Sequence, residues 1–107
     1  ALREVFQRAE PKHLTCEDVI NQVALFYSVT ADDLKGPRRN REITVPRQIA
    51  MYLCRELADV SFPRIGDAFQ RDHSTVQHGC DKIDSELKTN PGFASQIDDL
   101  TRQLKEK

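Results

Sequence analysis

The stretch SFPRIGDAFQRDHSTVQHGCDKIDSELK, residues 61–88, decides the fold. Ser61 is a good helix N-cap, Pro63 suits the first turn, and Ile65, Ala68 and Phe69 recur at helical spacing. Gln70-Arg71 breaks that stripe. Asp72 then opens a longer helix, in which Val76, Cys80 and Ile83 stand at i, i+4 and i+7. A helix of about nine residues, a turn of about three and a longer helix is the layout of a helix-turn-helix, whose second helix enters the major groove by its N-terminus. Asp72, His73, Ser74 and Thr75 fall on that N-terminus. All four are compact polar groups able to bond base edges or phosphates, and threonine offers a methyl to thymine. Backbone N–H groups there are also free to take a phosphate.

Working outward, the remaining punctuation also cuts helices. Thr15 with Asp18, and Thr30 with Asp33, have the spacing of reciprocal N-caps. Val19, Ile20, Val23, Ala24, Phe26 and Tyr27 supply the buried face after the first cap, and Gly36-Pro37 ends the short helix after the second. A basic loop is expected from Gly36 to about Thr44, with Pro46 in the first turn of the next helix and Ile49, Ala50, Leu53, Leu57 and Val60 on its inner face. Asn90-Pro91 opens the last helix, striped by Phe93, Ile97, Leu100 and Leu104. The fold class expected is all-α, a small helical bundle containing the helix-turn-helix. Leu2, Val5, Phe6 and Ala9 make a stripe too short to stand alone, so residues 1–13 read as the tail of a preceding domain and linker, and 14–107 as one domain.

Composition bounds the class. Apolar residues are 38%, charged residues 31%, and no run approaches the roughly 18 apolar residues that span a bilayer. Nothing at the start of the chain resembles a signal peptide. Cys16, Cys54 and Cys80 are odd in number and far apart, which argues against a disulfide framework or zinc site and for free thiols in a reducing cytoplasm. The formal net charge is −1, but it is unevenly placed. Residues 35–47 carry Lys35, Arg38, Arg39, Arg41 and Arg47 against Glu42, a local +4 between acidic flanks. A focused patch matters more to an anionic partner than the total does. A solvated basic loop is the plainer alternative.

The run Ile65 to Val76, followed by Lys82-Ile83, resembles the signature of the bacterial replication initiator DnaA family. Arg38-Arg39-Asn40-Arg41 and Pro46-Arg47-Gln48-Ile49-Ala50-Met51 resemble the basic loop and following helix of the same C-terminal DNA-binding domain. The likeness covers residues 14–107, and residues 1–13 resemble the end of an AAA+ lid. It implies a Trp-repressor-like helix-turn-helix fold. It also implies sequence-specific binding to duplex DnaA boxes of the TTATNCACA kind at the replication origin. Base reading would fall on Asp72, His73 and Ser74, and minor-groove insertion on Arg39. Phosphate contacts would fall on Arg38, Arg41, Arg47, Gln48, Arg55, Thr75 and Lys82, and Phe62 and Pro63 would lie against thymine methyls. A guanidinium suits the narrow, negative minor groove of AT-rich DNA. The resemblance also implies that ATP binding and oligomerisation belong to an upstream AAA+ domain, that the fragment is monomeric, and that acidic phospholipids touch the lid junction. No catalytic or metal residue and no cofactor is expected in this chain, and the protein is expected in the cytoplasm, with the nucleoid.

Two departures bear on structure. Phe69-Gln70-Arg71 is one residue shorter than the family's Phe-Gly-Gly-Arg and lacks both glycines, so Gln70 is expected in an ordinary right-handed or extended conformation. Gly79 stands where a small residue, usually alanine, is expected, at a cost of about 1 kcal/mol unless a close contact requires it. Arg71 reads equally as a phosphate ligand or a salt-bridge partner, and Arg55 alternatively as an intrahelical pair with Glu56 or Asp59. Consecutive helical residues diverge by about 100°, so Asp72, His73 and Ser74 cannot form a catalytic triad. His73 and His78 lack metal-ligand spacing. No G-x-x-x-x-G-K-[ST] loop is present, so no nucleotide is expected to bind. A helical adaptor that docks a protein or an acidic membrane is the alternative function.

Overall fold

The computed structural model describes residues 14–37 and 39–106, which form helices α1 (Cys16–Tyr27), α2 (Ala31–Lys35), α3 (Arg41–Leu57), α4 (Phe62–Phe69), α5 (His73–Thr89) and α6 (Pro91–Lys105). No strand occurs among the described residues. The reading of residues 1–13 as the end of a lid lies outside them.

Local sequence sets most helix starts. Thr15 Oγ1 accepts from the Asp18 N–H at 3.1 Å, and Asp18 Oδ2 accepts in return from the Thr15 N–H at 3.1 Å. Thr30 and Asp33 repeat this reciprocal cap on α2 at 2.9 and 3.3 Å. Asn90 caps α6 by accepting from the Phe93 N–H. Each cap satisfies donors that a helix start otherwise leaves orphaned. Helix ends are less regular: Ser28, Asp59 and Gln70 all take left-handed backbone, where glycine is the usual residue.

One helix boundary departs from expectation. α3 begins at Arg41, so Pro46 lies inside the helix rather than in its first turn, and the loop before it ends at Asn40. The Asn40 carbonyl accepts from both Ile43 and Thr44, at 2.9 and 2.7 Å, and that nucleates the helix ahead of the proline. Pro46 forfeits one intrahelical hydrogen bond, a cost offset by burying its ring.

α3 is the central element, with α1 packed on one side and α5 along another. Ile49, Ala50, Met51, Leu53 and Cys54 of α3 meet Val19, Ile20 and Val23 of α1 and Val76, Cys80 and Ile83 of α5 in one core. α6 closes the bundle through Ile97, Leu100 and Leu104 against α1 and α5. Gln22 Nε2 donates to Gln103 Oε1 at 2.9 Å across the α1–α6 seam. α4 rests on α5 through Ile65 and Phe69, both fully buried. Full burial of a phenylalanine contributes about 2–3 kcal/mol, enough to hold so short a helix in place.

Candidate nucleic-acid interface

The turn between α4 and α5 is tight because two residues permit it. Gln70 adopts φ 55°, ψ 46°, and the Arg71 N–H returns to the Gly66 carbonyl at 2.8 Å. A β-carbon on Gly66 would stand 2.5 Å from the Arg71 carbonyl oxygen, so the turn closes only over a glycine. The expectation of ordinary backbone at Gln70 is therefore wrong. Reversing the chain in so few residues needs one left-handed position, and glutamine fills it at a steric cost glycine would avoid.

α5 starts at His73 with Asp72 as its N-cap. Asp72 Oδ2 accepts from the Ser74 N–H at 3.1 Å, which holds its carboxyl below the usual carboxylate range. Its other oxygen lies 3.9 Å from His73 Nδ1. His73, Ser74 and Thr75 are all exposed. The first turn of α5 thus offers an imidazole, two hydroxyls and one remaining carboxylate oxygen to solvent.

The base of the basic loop meets this turn at the Gly36 carbonyl. Arg71 Nη2 donates to Gly36 O, and Arg71 Nη1 donates to Phe69 O at 3.0 Å. Arg47 Nη2 donates to the same Gly36 oxygen at 3.0 Å and to Asp33 O at 3.0 Å, while its Nε donates to Leu34 O at 2.7 Å. Arg47 is only 5% exposed, so the expectation that it contacts phosphate is corrected. It lies on the inner face of α3 and satisfies the orphan carbonyls at the end of α2. Burial, and then the neighbouring Arg71 charge, lower its pKa. Arg71 forms no ion pair among the described residues; it bridges the helix-turn-helix to the base of the loop. Arg39 and Asn40 follow, exposed. Lys35 is held by Glu17 at 2.7 Å, and Arg38 lies outside the described residues.

Farther along, exposed Arg41 and Lys82 share a shallow cavity with Gln48, Val45, Ile83, Glu86 and Phe93. Gln48 Oε1 is buried with no hydrogen-bond partner among the described residues. A β-carbon on Gly79 would lie 3.2 Å from Gln48 Cγ, so glycine here gives α5 its close approach to α3. The Arg55 guanidinium sits 4.7 Å above the Phe62 ring rather than in an intrahelical ion pair, and Pro63 is exposed beside it. His78 is solvent-exposed, and no cluster of potential metal ligands occurs among the described residues.

These features have counterparts. The family profile described as "Bacterial dnaA protein helix-turn-helix" matches residues 16–83. This chain belongs to that family. It is 42% identical over 106 residues to the chromosomal replication initiator protein DnaA of a strain of Treponema pallidum subsp. pallidum, and equally to that of Treponema pallidum strain Nichols. The match takes in 98% of this chain and 23% of each relative, so the chain spans less than a quarter of their length. A crystal structure of a DNA replication initiation factor superposes with a TM-score of 0.77 at 33% identity, covering 85% of this chain and 28% of that one.

Within this DnaA-family domain, the first turn of α5 brings together Asp72, His73, Ser74 and Thr75, one cavity brings together Arg41, Gln48 and Lys82, and Arg39 lies exposed in the basic loop. Sequence reasoning missed the bridging roles of Arg71 and Arg47. A signal existed for Arg47: it falls four residues after Ile43, three before Ala50 and seven before Cys54, on the apolar stripe. Arg71 carried no such signal, because its partner Gly36 is 35 residues away. Phe93, read only as a core residue, also walls the cationic cavity.

Proposed function

We propose that this chain reads specific sites in duplex DNA, as the DNA-binding domain of an initiator of chromosomal replication. The observation that carries the proposal is the exposed first turn of α5, tied by the Arg71 bridge to the loop that bears Arg39. His73, Ser74 and Asp72 read base edges in the major groove, and Thr75 bonds a phosphate there. Arg39 enters the adjoining minor groove, where AT-rich sequence deepens the negative potential. Arg41, Gln48 and Lys82 meet phosphates, which fix position without reading sequence. Phe62 and Pro63 face thymine methyls, with Arg55 above the ring reaching the backbone. Catalysis plays no part in this domain: nucleotide binding and oligomerisation belong to the AAA+ portion upstream, acidic phospholipid touches the lid junction, and the whole protein works at the nucleoid.

The test titrates the chain against a duplex containing a TTATNCACA-type box and a scrambled duplex. His73→Ala is expected to lose about 1–3 kcal/mol on the box and much less on scrambled DNA. Arg39→Ala is expected to weaken the box most when its AT-rich end is intact, with G·C substitution there masking the defect. Arg41→Ala is expected to weaken every duplex alike and reduce the slope of log K against log salt by about 1. Equal losses on box and scrambled DNA for His73→Ala would overturn the reading. Failure of wild type to prefer the box would instead favour a helical adaptor.

A further inference from the structure

We propose that Cys16 and Cys54 form a redox-responsive thiol pair, in which a hydroperoxide oxidises Cys16 and Cys54 resolves it to an intramolecular disulfide joining α1 to α3. Cys54, buried in the last turn of α3, places its Sγ 4.0 Å from the Cys16 carbonyl oxygen, which brings the thiol to the first residue of α1. They stand 38 residues apart in sequence, so the helical packing alone brings them together.

The two sulfurs are not equivalent. Cys16 is the first residue of α1, is partly exposed, and lines an open groove with Ser61 and Arg64. Hydrogen bonding from Cys54, with help from the Arg64 charge, lowers its pKa to about 7 despite partial burial. Cys54 is enclosed, and its thiol is pushed far up by the same hydrogen bond and by burial. Cys80 is buried on α5, with burial raising its pKa to about 11. A partly exposed, low-pKa thiol beside a second thiol is the arrangement of a peroxide-sensitive site.

The chemistry balances with the hydroperoxide as sole oxidant. The Cys16 thiolate attacks the outer oxygen of ROOH, the O–O bond breaks, and Cys16 becomes a sulfenic acid while the alkoxide takes a proton to leave as ROH. The Cys54 sulfur then attacks the sulfenic sulfur. The S–S bond forms, and the hydroxyl leaves as water with the proton from Cys54. Two thiols lose two electrons and the peroxide gains them. Cys54 lies 13 positions beyond Arg41, about 20 Å along α3 from the basic loop. The new bond therefore ties the start of α1 to the last turn of α3, at the end of α3 opposite the basic loop, and stands independently of the function proposed above.

The test exposes the purified chain to hydrogen peroxide and maps products by peptide mass spectrometry. The expected result is a loss of two hydrogens with a Cys16–Cys54 cross-linked peptide. Cys54→Ser is expected to stop at a Cys16 sulfenic acid trapped by dimedone, and Cys80→Ser to oxidise like wild type. Alkylation of Cys16 in a Cys54→Ala variant, which lacks the donor, is expected to follow a higher pH midpoint than in wild type, whose midpoint is expected near 7. Three results would overturn the proposal: a cross-link involving Cys80, dimerisation through Cys16 instead of an internal bond, or Cys16 remaining reduced while the peroxide oxidises other residues.

Discussion

Arg47→Met separates the two roles an arginine can play at this position, because methionine keeps an aliphatic stem in the core and deletes the guanidinium. Arg47 donates three hydrogen bonds, to the carbonyls of Asp33, Leu34 and Gly36. Charge-assisted bonds of this kind contribute about 1.5–3 kcal/mol each. The bond to Leu34 is fully buried, so its loss strands an acceptor; the other two are partly buried, where water replaces some of the loss. Removing a charge that burial and Arg71 already disfavour returns a little of the cost. The expected destabilisation is about 3–5 kcal/mol, a large share of the roughly 5–15 kcal/mol that holds a domain folded. For a chain of this size the Tm is expected to fall by roughly 15 °C or more. The assay pairs thermal unfolding, followed by circular dichroism, with DNA titrations in several salt concentrations at a temperature where the variant is folded. The salt slope is expected to stay at the wild-type value, since no phosphate contact has been removed. A Tm within about 2 °C of wild type, together with a slope reduced by about 1, would refute this account and return Arg47 to the phosphate backbone.

The turn offers a gain and a loss. Gln70→Gly is expected to stabilise the domain by about 0.5–1 kcal/mol, the left-handed penalty minus the added chain entropy of glycine, read as a higher denaturation midpoint. Gly66→Ala is expected to cost about 1–3 kcal/mol, because its methyl meets the Arg71 carbonyl at 2.5 Å and only backbone movement relieves it; an unchanged midpoint would contradict the tight turn. Asp72 carries a pH signature. Its folded pKa lies below the unfolded value, so its stabilisation is present above the unfolded carboxylate range and lost as pH falls through the folded value. Asp72→Asn keeps a cap acceptor without the charge. Wild type is therefore expected to melt higher than the variant at neutral pH, and the gap is expected to close in acid.

What was legible in the sequence follows from the range of each interaction. Thr15–Asp18, Thr30–Asp33, Asp72–Ser74 and Asn90–Phe93 are contacts within three residues, and each cap was foreseeable from its residues. Periodicity marked the core at Ile49, Leu53, Val76 and Ile83 for the same reason. Pro46 misled because a proline that favours a first turn is tolerated deeper in a helix once Asn40 has anchored the start. At Gln70, the local preference against left-handed backbone lost to the demand of packing Ile65 and Phe69 over α5. The side chains at the front of α5 were foreseen as a group on one turn. The link from that turn to the basic loop was not, because it uses backbone carbonyls, which every residue supplies and no residue type announces.

That shared Gly36 oxygen is a rivet between the turn and α3. One guanidinium from the turn and one from α3 grip the same atom, so the helix-turn-helix, α3 and the end of α2 are tied at one point. A duplex lengthened by one base pair between the segments proposed to meet Arg39 and His73 would shift one roughly 3.4 Å along and about 35° around the axis. If the proposed contacts hold, spacing within the site is expected to count alongside the bases at either end.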